Sequence, residues 1–497
     1  MKQFKFSILF LSLSAVAVLS AREHSDFNPA NEPATGMQYY TPAQTGFFCG
    51  DPMPFSHGDT FSVYWLLDMH DTSDPLGGHA WTSSSTKDLV NWQHHPLALP
   101  LKAPERSMCT GSVFYHGGTY YAFYATRVAD DELFLREFIS VATSKDGIAF
   151  EKQQPMMLFQ APEGYMLSAL RDPYIFEHEG RFYMIVTAHS EPGDFDHAGP
   201  CLIYYESADL KTWDFRGRYY TPGSADGFAH AECADVFKMG NYYYLLFKIT
   251  GGAYYRVSDS PFGPWRAMPN DNIGNDYALV FKTADFEGRR IAVGFIPWRE
   301  GEKDNGTWQY GGSLVFRELK QQPDGSLTAG YVPEMMPEVE ASLNLSPVAV
   351  WGKAEKTGDT VSLVSDGGLS AIRLGELPGD AYISFDMIPD GYYTEAGVLL
   401  RDEAEKRNYY DVCFVPKSNK VTLGNTYIGD FRGLDKPFKV EIVMKGSVIE
   451  VCIDGERCVV NRVFDYKGKY LSFYIRDGKA KIENLKVQPI VIEEGVF

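Results

Sequence analysis

Phe176-Glu-His-Glu-Gly180-Arg-Phe182-Tyr-Met-Ile-Val186 reads as the end of one apolar strand, a glycine turn and the aromatic start of the next. Strands rich in aromatic and β-branched residues on either side of such a turn form a hairpin. The chain repeats this unit. Five apolar runs end at Phe55, Phe114, Phe176, Phe237 and Phe281, and turns follow at Gly58, Gly117, Gly180, Gly240 and Gly288. The remaining second strands are Phe61-Ser-Val-Tyr-Trp65, Tyr120-Tyr-Ala-Phe-Tyr124, Tyr242-Tyr-Tyr-Leu-Leu-Phe247 and Ile291-Ala-Val-Gly-Phe295. In the first four units a third strand runs into a Ser/Thr-x-Asp or Ser-Asp turn, at Thr86-Lys-Asp88, Ser144-Lys-Asp146, Ser207-Ala-Asp209 and Ser258-Asp259. The Phe-to-Phe steps are 59, 62, 61 and 44 residues, and units this small cannot bury their own faces. Radial stacking solves that problem, so the pattern predicts an all-β protein built on a five-bladed β-propeller. A sandwich of irregular hairpins has no reason to repeat at this period.

The repeat stops after Gly325. A Pro- and Glu-containing stretch over 330–345 reads as a linker, and alternating segments such as Tyr382-Ile-Ser-Phe-Asp386 and Tyr470-Leu-Ser-Phe-Tyr474 then predict a C-terminal β-sandwich over 346–497. The propeller is expected over 22–329. Ahead of it, Lys2 and Lys5 precede an uncharged apolar run from Phe6 to Ala21, with small residues at Ser20 and Ala21. That is the pattern of a signal peptide over 1–21 and implies export to the periplasm or outside the cell, without stable membrane insertion.

Composition narrows the function. Of 497 residues, 44% are hydrophobic and 22% charged, as in ordinary globular domains. A formal charge of −19 repels phosphate backbones, so nucleic acid is not an expected partner. Seven scattered cysteines give neither a disulfide scaffold nor a metal motif. Cys452 and Cys458 flank a hairpin turn and are expected to lie near each other, paired or as free thiols. A homodimer through the sandwich stays open.

The inner strands of a propeller converge on its axis. Four residues before the Phe anchor stand Asp51 and Asp172, and one residue earlier still stands Glu232; Thr110 and Tyr277 hold that register in units two and five. Three acids around one hollow repel one another and raise at least one pKa, which separates a protonated carboxyl from an ionised one. Glycoside cleavage needs that division of labour.

Gly-Asp51-Pro, Arg171-Asp172-Pro173 and Glu232-Cys233-Ala-Asp235-Val-Phe stand in order, with Gly78-His79-Ala80, Lys87-Asp88-Leu89, Gly111-Ser112, Arg317-Glu318-Leu319 and Asp324-Gly-Ser-Leu327 among them. Together these blocks resemble glycoside hydrolase family 32, the fructofuranosidases, over nearly the whole mature chain. The resemblance implies a propeller followed by a sandwich and no cofactor or metal. It implies a retaining hydrolase of terminal β-D-fructofuranosides in oligo- or polysaccharides: Asp51 as nucleophile, Glu232 as acid/base and Asp172 as transition-state stabiliser. Arg171, Thr110, Cys233, Phe295, Tyr277 and Trp298 are the candidate substrate contacts. A binding propeller without catalysis and an arabinofuranosidase-like enzyme are the alternatives. The family's nucleophile motif usually reads Asn-Asp-Pro-Asn/Asp-Gly, whereas Gly50 and Met53-Pro54 flank Asp51 here. Leu66, Gly77, Cys109 and Phe295 also depart from the family pattern, which puts the sugar subsite in question more than the chemistry. Asp68, His70, Asp71 and Asp74 form a polar loop read as solvated, with substitute sugar contacts as the alternative.

Overall fold

A computed structural model describes residues 23–70, 78–129, 135–191, 199–223, 229–249, 252–274, 277–404 and 406–491. The apolar N-terminal run, Asp71, Asp74 and Gly77 lie outside the described residues.

Each repeat unit is one antiparallel sheet. Blade one holds β1 (Phe48–His57), β2 (Thr60–Asp68), β3 (Ala80–Thr86) and β4 (Trp92–Leu99). Blade two holds β5 (Ser107–His116), β6 (Thr119–Ala129), β7 (Leu135–Ser144) and β8 (Glu151–Gln160). Blade three holds β9 (Tyr165–His178), β10 (Arg181–Ser190), β11 (Gly199–Ser207) and β12 (Asp214–Tyr220). Blade four holds β13 (Glu232–Met239), β14 (Tyr242–Ile249) and β15 (Gly252–Ser258), with isolated bridges from Tyr254 to Asn272 and Val257 to Arg266 beside β15. Blade five holds β16 (Leu279–Phe286), β17 (Arg289–Arg299), β18 (Trp308–Gln321) and β19 (Leu327–Gly330). The ring closes where Gly312 of β18 pairs with Cys49 of β1.

The Ser/Thr-x-Asp signature explains how strands three and four are joined. Asp88 Oδ1 accepts the backbone N–H groups of Val90 and Asn91, and the Thr86 hydroxyl accepts those of Asp88 and Leu89. Asp209 does the same for Lys211 and Thr212. These side chains satisfy turn amides that no strand reaches.

Apolar faces of neighbouring blades pack on each other and make the core. One cluster joins Trp65 and Phe61 of blade one to Leu314 and Phe316 of blade five, and another joins Phe123 of blade two to Met184 of blade three. Polar ties cross the same seams. The Ser112 hydroxyl donates to the Pro173 carbonyl (3.0 Å) and accepts from Ile175 N (3.2 Å), joining blades two and three. Asp235 Oδ2 accepts from both the amide and the hydroxyl of Thr283 at 2.6 Å, joining blades four and five.

After β19 the chain makes a short helical turn at Pro333–Met335 and enters twelve further strands, β20 to β31, between Ser346 and Pro489. The last, β31 (Tyr470–Pro489), is long enough to pair with three others and bends through the sandwich. Cys452 and Cys458 face each other across the hairpin of β29 (Val448–Ile453) and β30 (Arg457–Arg462), both buried.

Candidate active site

The inner strand of every blade carries the same irregularity at the same place. Two of its residues oppose one on the second strand: 50 and 51, 109 and 110, 172 and 173, 233 and 234, 280 and 281. Such a bulge bends the strand and re-aims its side chains. At three of the five first positions the backbone is left-handed, with φ 56° at Asp172, 54° at Cys233 and 53° at Val280. That conformation costs of order 1–3 kcal/mol per non-glycine residue and clusters at functional sites.

Aligned on the bulge, the three acids occupy three successive positions. Glu232 stands just before it, Asp172 is its first residue and Asp51 its second. The common register counted from the Phe anchors is therefore off by one between Asp51 and Asp172. It fails in blade five, because Phe281 lies inside the bulge and a count of four back from it reaches Tyr277, ahead of β16.

Asp51, Asp172 and Glu232 all line one hollow of about 600 Å³, together with Arg171, Thr110, Cys233 and Phe295. Tyr277 and Trp298 are not among its lining residues. The Tyr277 ring packs 4.5 Å from that of Trp308. Trp298 faces the sandwich, with the Arg462 guanidinium 4.3 Å over its ring and Phe464 at 5.5 Å.

Cys233 links the acids. Its amide donates to Asp172 Oδ2 at 3.0 Å and its thiol lies 3.8 Å from Asp51 Oδ2. The Thr110 hydroxyl donates to the same Asp51 oxygen, while Asp51 Oδ1 has no hydrogen-bond partner among the described residues. Asp172 is buried, and the Thr187 hydroxyl donates to it at 3.3 Å. Burial pushes its carboxyl up to about 6; Arg171 pulls it down, and Glu232 and Asp51 push it further up. Glu232 is held the opposite way. Burial works upward, but Lys248 Nζ at 2.7 Å from Oε2 and Arg171 Nη2 at 2.8 Å from Oε1 outweigh it and hold the carboxyl at about 2. Arg171 is itself fixed by Glu137 at 3.2 Å, and Glu137 also pairs with Arg127 at 3.0 Å.

Several lining residues escape a reading of the sequence alone. Lys248 pairs in register with Glu232 across β13 and β14. Arg127 and Lys248 are charged residues near the ends of aromatic-rich second strands, as Asp68 is, and that recurrence was the available signal. Asp68 and His70 are not a solvated loop. Asp68 is buried, its Oδ1 lies 2.9 Å from His79 Nε2, and His70 Nε2 donates to the Tyr310 carbonyl at 2.8 Å. Among the described residues no group of three His, Cys, Asp or Glu side chains is arranged to hold a metal ion.

Residues 43–327 match the model of the glycosyl hydrolases family 32 N-terminal domain, and residues 351–489 match the family's C-terminal model. This chain belongs to glycosyl hydrolase family 32. Within the family it is 26% identical to a raffinose invertase of Escherichia coli over 95% of this chain and 97% of that protein. It is 27% identical to a sucrose-6-phosphate hydrolase of Escherichia coli, over 57% of this chain and 62% of that protein. The fold is also that of the Lactobacillus gasseri sucrose-6-phosphate hydrolase, with a TM-score of 0.67 at 15% identity over 95% and 98% of the two chains. The family 32 β-fructofuranosidase of Bombyx mori gives a TM-score of 0.64 at 17% identity over 92% and 95%.

Proposed function

We propose that this protein is an exported, retaining glycoside hydrolase that releases fructose from the ends of sucrose or fructans. The observation that carries this reading is the gathering of Asp51, Asp172 and Glu232 around one sugar-sized hollow, each with a different set of partners. The near full-length likeness to a raffinose invertase supports the substrate class, as does a Bombyx mori β-fructofuranosidase mutant whose structure is a complex with sucrose. Export rests on the apolar run at 6–21; among the described residues no helix is long and apolar enough to cross a membrane.

In this reading Asp51 is the nucleophile. Thr110 and Cys233 hold one carboxylate oxygen, which leaves Oδ1 to attack the anomeric carbon. Asp172, deep in the hollow, accepts sugar hydroxyls and faces the positive charge of the oxocarbenium-like transition state. Glu232 protonates the leaving oxygen and then takes a proton from the water that hydrolyses the fructosyl-enzyme. In the free site Asp172 holds a proton more tightly than Glu232. Sugar hydroxyls donating to Asp172 favour its ionised form, and that negative charge raises the affinity of Glu232 for a proton. Arg171, touching both acids' surroundings, keeps them in register.

The test is release of free fructose from sucrose, inulin and levan, with arabinofuranosides as controls. The native enzyme is expected to act on a fructoside, and Asp51→Asn to lose at least about a thousandfold in kcat. Turnover of arabinofuranosides alone, or none with tight glycan binding, overturns the reading.

A further inference from the structure

Gly50 stands where the family motif carries an amide side chain, and the structure shows what fills that space. A Cβ built on Gly50 would lie 2.6 Å from both Cε1 and Oη of Tyr310. That is closer than real Cβ contacts come, so any side chain at 50 and the Tyr310 ring in this position exclude each other. The ring comes from the start of β18, far along the chain, and reaches the nucleophile from the opposite side of the ring closure.

Tyr310 touches Asp51 with its polar end. The Asp51 backbone N–H donates to Tyr310 Oη at 3.0 Å. The hydroxyl accepts that hydrogen bond and keeps its own proton, and the Asp51 carboxylate lies near it. Burial and that carboxylate push the phenol well above its ordinary range, which favours its protonated form.

The rest of Tyr310 is clamped. His70 Nε2 donates to its carbonyl at 2.8 Å, and the His70 ring stacks on Phe48 with centroids 3.6 Å apart. His79, held by Asp68 at 2.9 Å, lies 4.9 Å from the Tyr310 ring, and Phe295 lies 5.4 Å from it. Gly311 leaves room for Asp68: a Cβ there would come within 2.9 Å of Asp68 Oδ2. The group of Asp68, His70 and His79 thus fixes the Tyr310 ring where it lines the hollow.

We propose that Tyr310 is the positioning residue for the nucleophile: its hydroxyl fixes the Asp51 backbone, and Gly50 is the space that admits it. The inference rests on Asp51 acting as the nucleophile. A hydroxyl that orders a nucleophile acts on the reaction step more than on substrate capture, because a small displacement from attack geometry slows chemistry while binding contacts persist.

The experiment is steady-state kinetics of the full-length enzyme on the fructoside it cleaves best, with thermal melting as a control. Tyr310→Phe keeps the ring and its packing and removes only the hydroxyl. It is expected to lower kcat about tenfold or more, with KM within about threefold of native and melting unchanged. A smaller fall in kcat, or a loss confined to KM, overturns the proposal. Gly50→Ala is expected to lower kcat as Tyr310→Phe does, because the methyl group displaces the ring; adding Tyr310→Phe to Gly50→Ala then costs little more. An unaffected Gly50→Ala, or two losses that multiply in the double variant, also overturns it. Asp51→Asn separates this inference from the reading beneath it. If that variant keeps turning over substrate, both fall; if it is inert while Tyr310→Phe equals native, only the role of Tyr310 falls.

Discussion

Asp172 and Glu232 are two carboxyls in one hollow with opposite fates, and the difference lies in their partners. Glu232 has two cations within hydrogen-bonding distance. Asp172 receives one amide and one hydroxyl and is otherwise enclosed. For Asp172 those two hydrogen bonds do not repay the loss of solvent for a full charge. The consequence for stability has a definite sign. The folded-state pKa of Asp172, about 6, lies above its unfolded value, so the folded chain binds this proton more tightly. The ionised residue therefore costs nothing below about pH 4 and progressively more as pH rises through 6, to a few kcal/mol, on the order of 3. Asp172→Asn, which keeps an acceptor for the Cys233 amide, is expected to abolish turnover and to raise the melting temperature at pH 7 to 8. That gain should vanish near pH 4. A melting temperature lowered at neutral pH would show that the carboxylate is stabilised rather than strained.

At the scale of the strand, the repeated bulge is the device that makes the site. An uninterrupted inner strand would alternate its side chains between the two faces of its blade, packing them against the neighbouring blades. The extra residue in each blade breaks that alternation beside the axis and sends Asp51, Asp172 and the residue before the blade-four bulge, Glu232, into the hollow. The strand resumes its register beyond the bulge, where the Phe anchors and the inter-blade ties lie. Asp235 is the first paired residue after the blade-four bulge, and it spends its carboxylate on Thr283 of blade five. Asp235→Ala would leave the buried Thr283 amide and hydroxyl without their acceptor. Hydrogen bonds to a charged group contribute about 1.5–3 kcal/mol each, so a loss of roughly 3 kcal/mol is expected in urea unfolding. Activity should fall as well, since Cys233 and Glu232 sit on the same short strand. An unchanged unfolding midpoint would mean that water replaces the Asp235 carboxylate at no cost.

Across the whole molecule, propeller and sandwich meet through a polar centre buried from solvent. Arg317 of β18 and Glu450 of β29 pair at 2.8 Å with both side chains fully enclosed, and Tyr39 donates to the same carboxylate at 2.6 Å. Arg462 reaches across the interface to the carbonyls of Pro297 and Ile296 at 2.7 and 3.0 Å. Burial lowers its pKa to about 9, and it stays charged at neutral pH through those carbonyls and two hydroxyls. Trp298 is committed to this interface by stacking under Arg462, which is why it is absent from the sugar-sized hollow. Removing one member of a buried pair strands the other charge, at a cost of about 3–5 kcal/mol. Glu450→Ala is expected to lower the melting temperature by several degrees and to loosen the sandwich from the propeller, seen as new protease cleavage near 330–345. Identical melting and cleavage would count against the pair as the joint between the two parts.

The sequence by itself determined the architecture and the identity of the three acids. A hairpin unit that recurs because it cannot bury its own faces is a local pattern, and Gly-Asp51-Pro, Arg171-Asp172 and Glu232-Cys233 are local motifs. Only the tertiary structure decided which residues surround those acids. Lys248 is legible as a charge ending a strand, but its pairing with Glu232 depends on strand register; Tyr310 and Gly50 meet across 260 residues, through the closure of the ring. Tyr277 fell outside because its anchor, Phe281, lies within a bulge, and bulges leave no mark in a hydrophobic period. Periodicity records which face a side chain takes, and it is blind to the one extra residue that turns a strand toward the axis and to contacts made when distant blades close on each other.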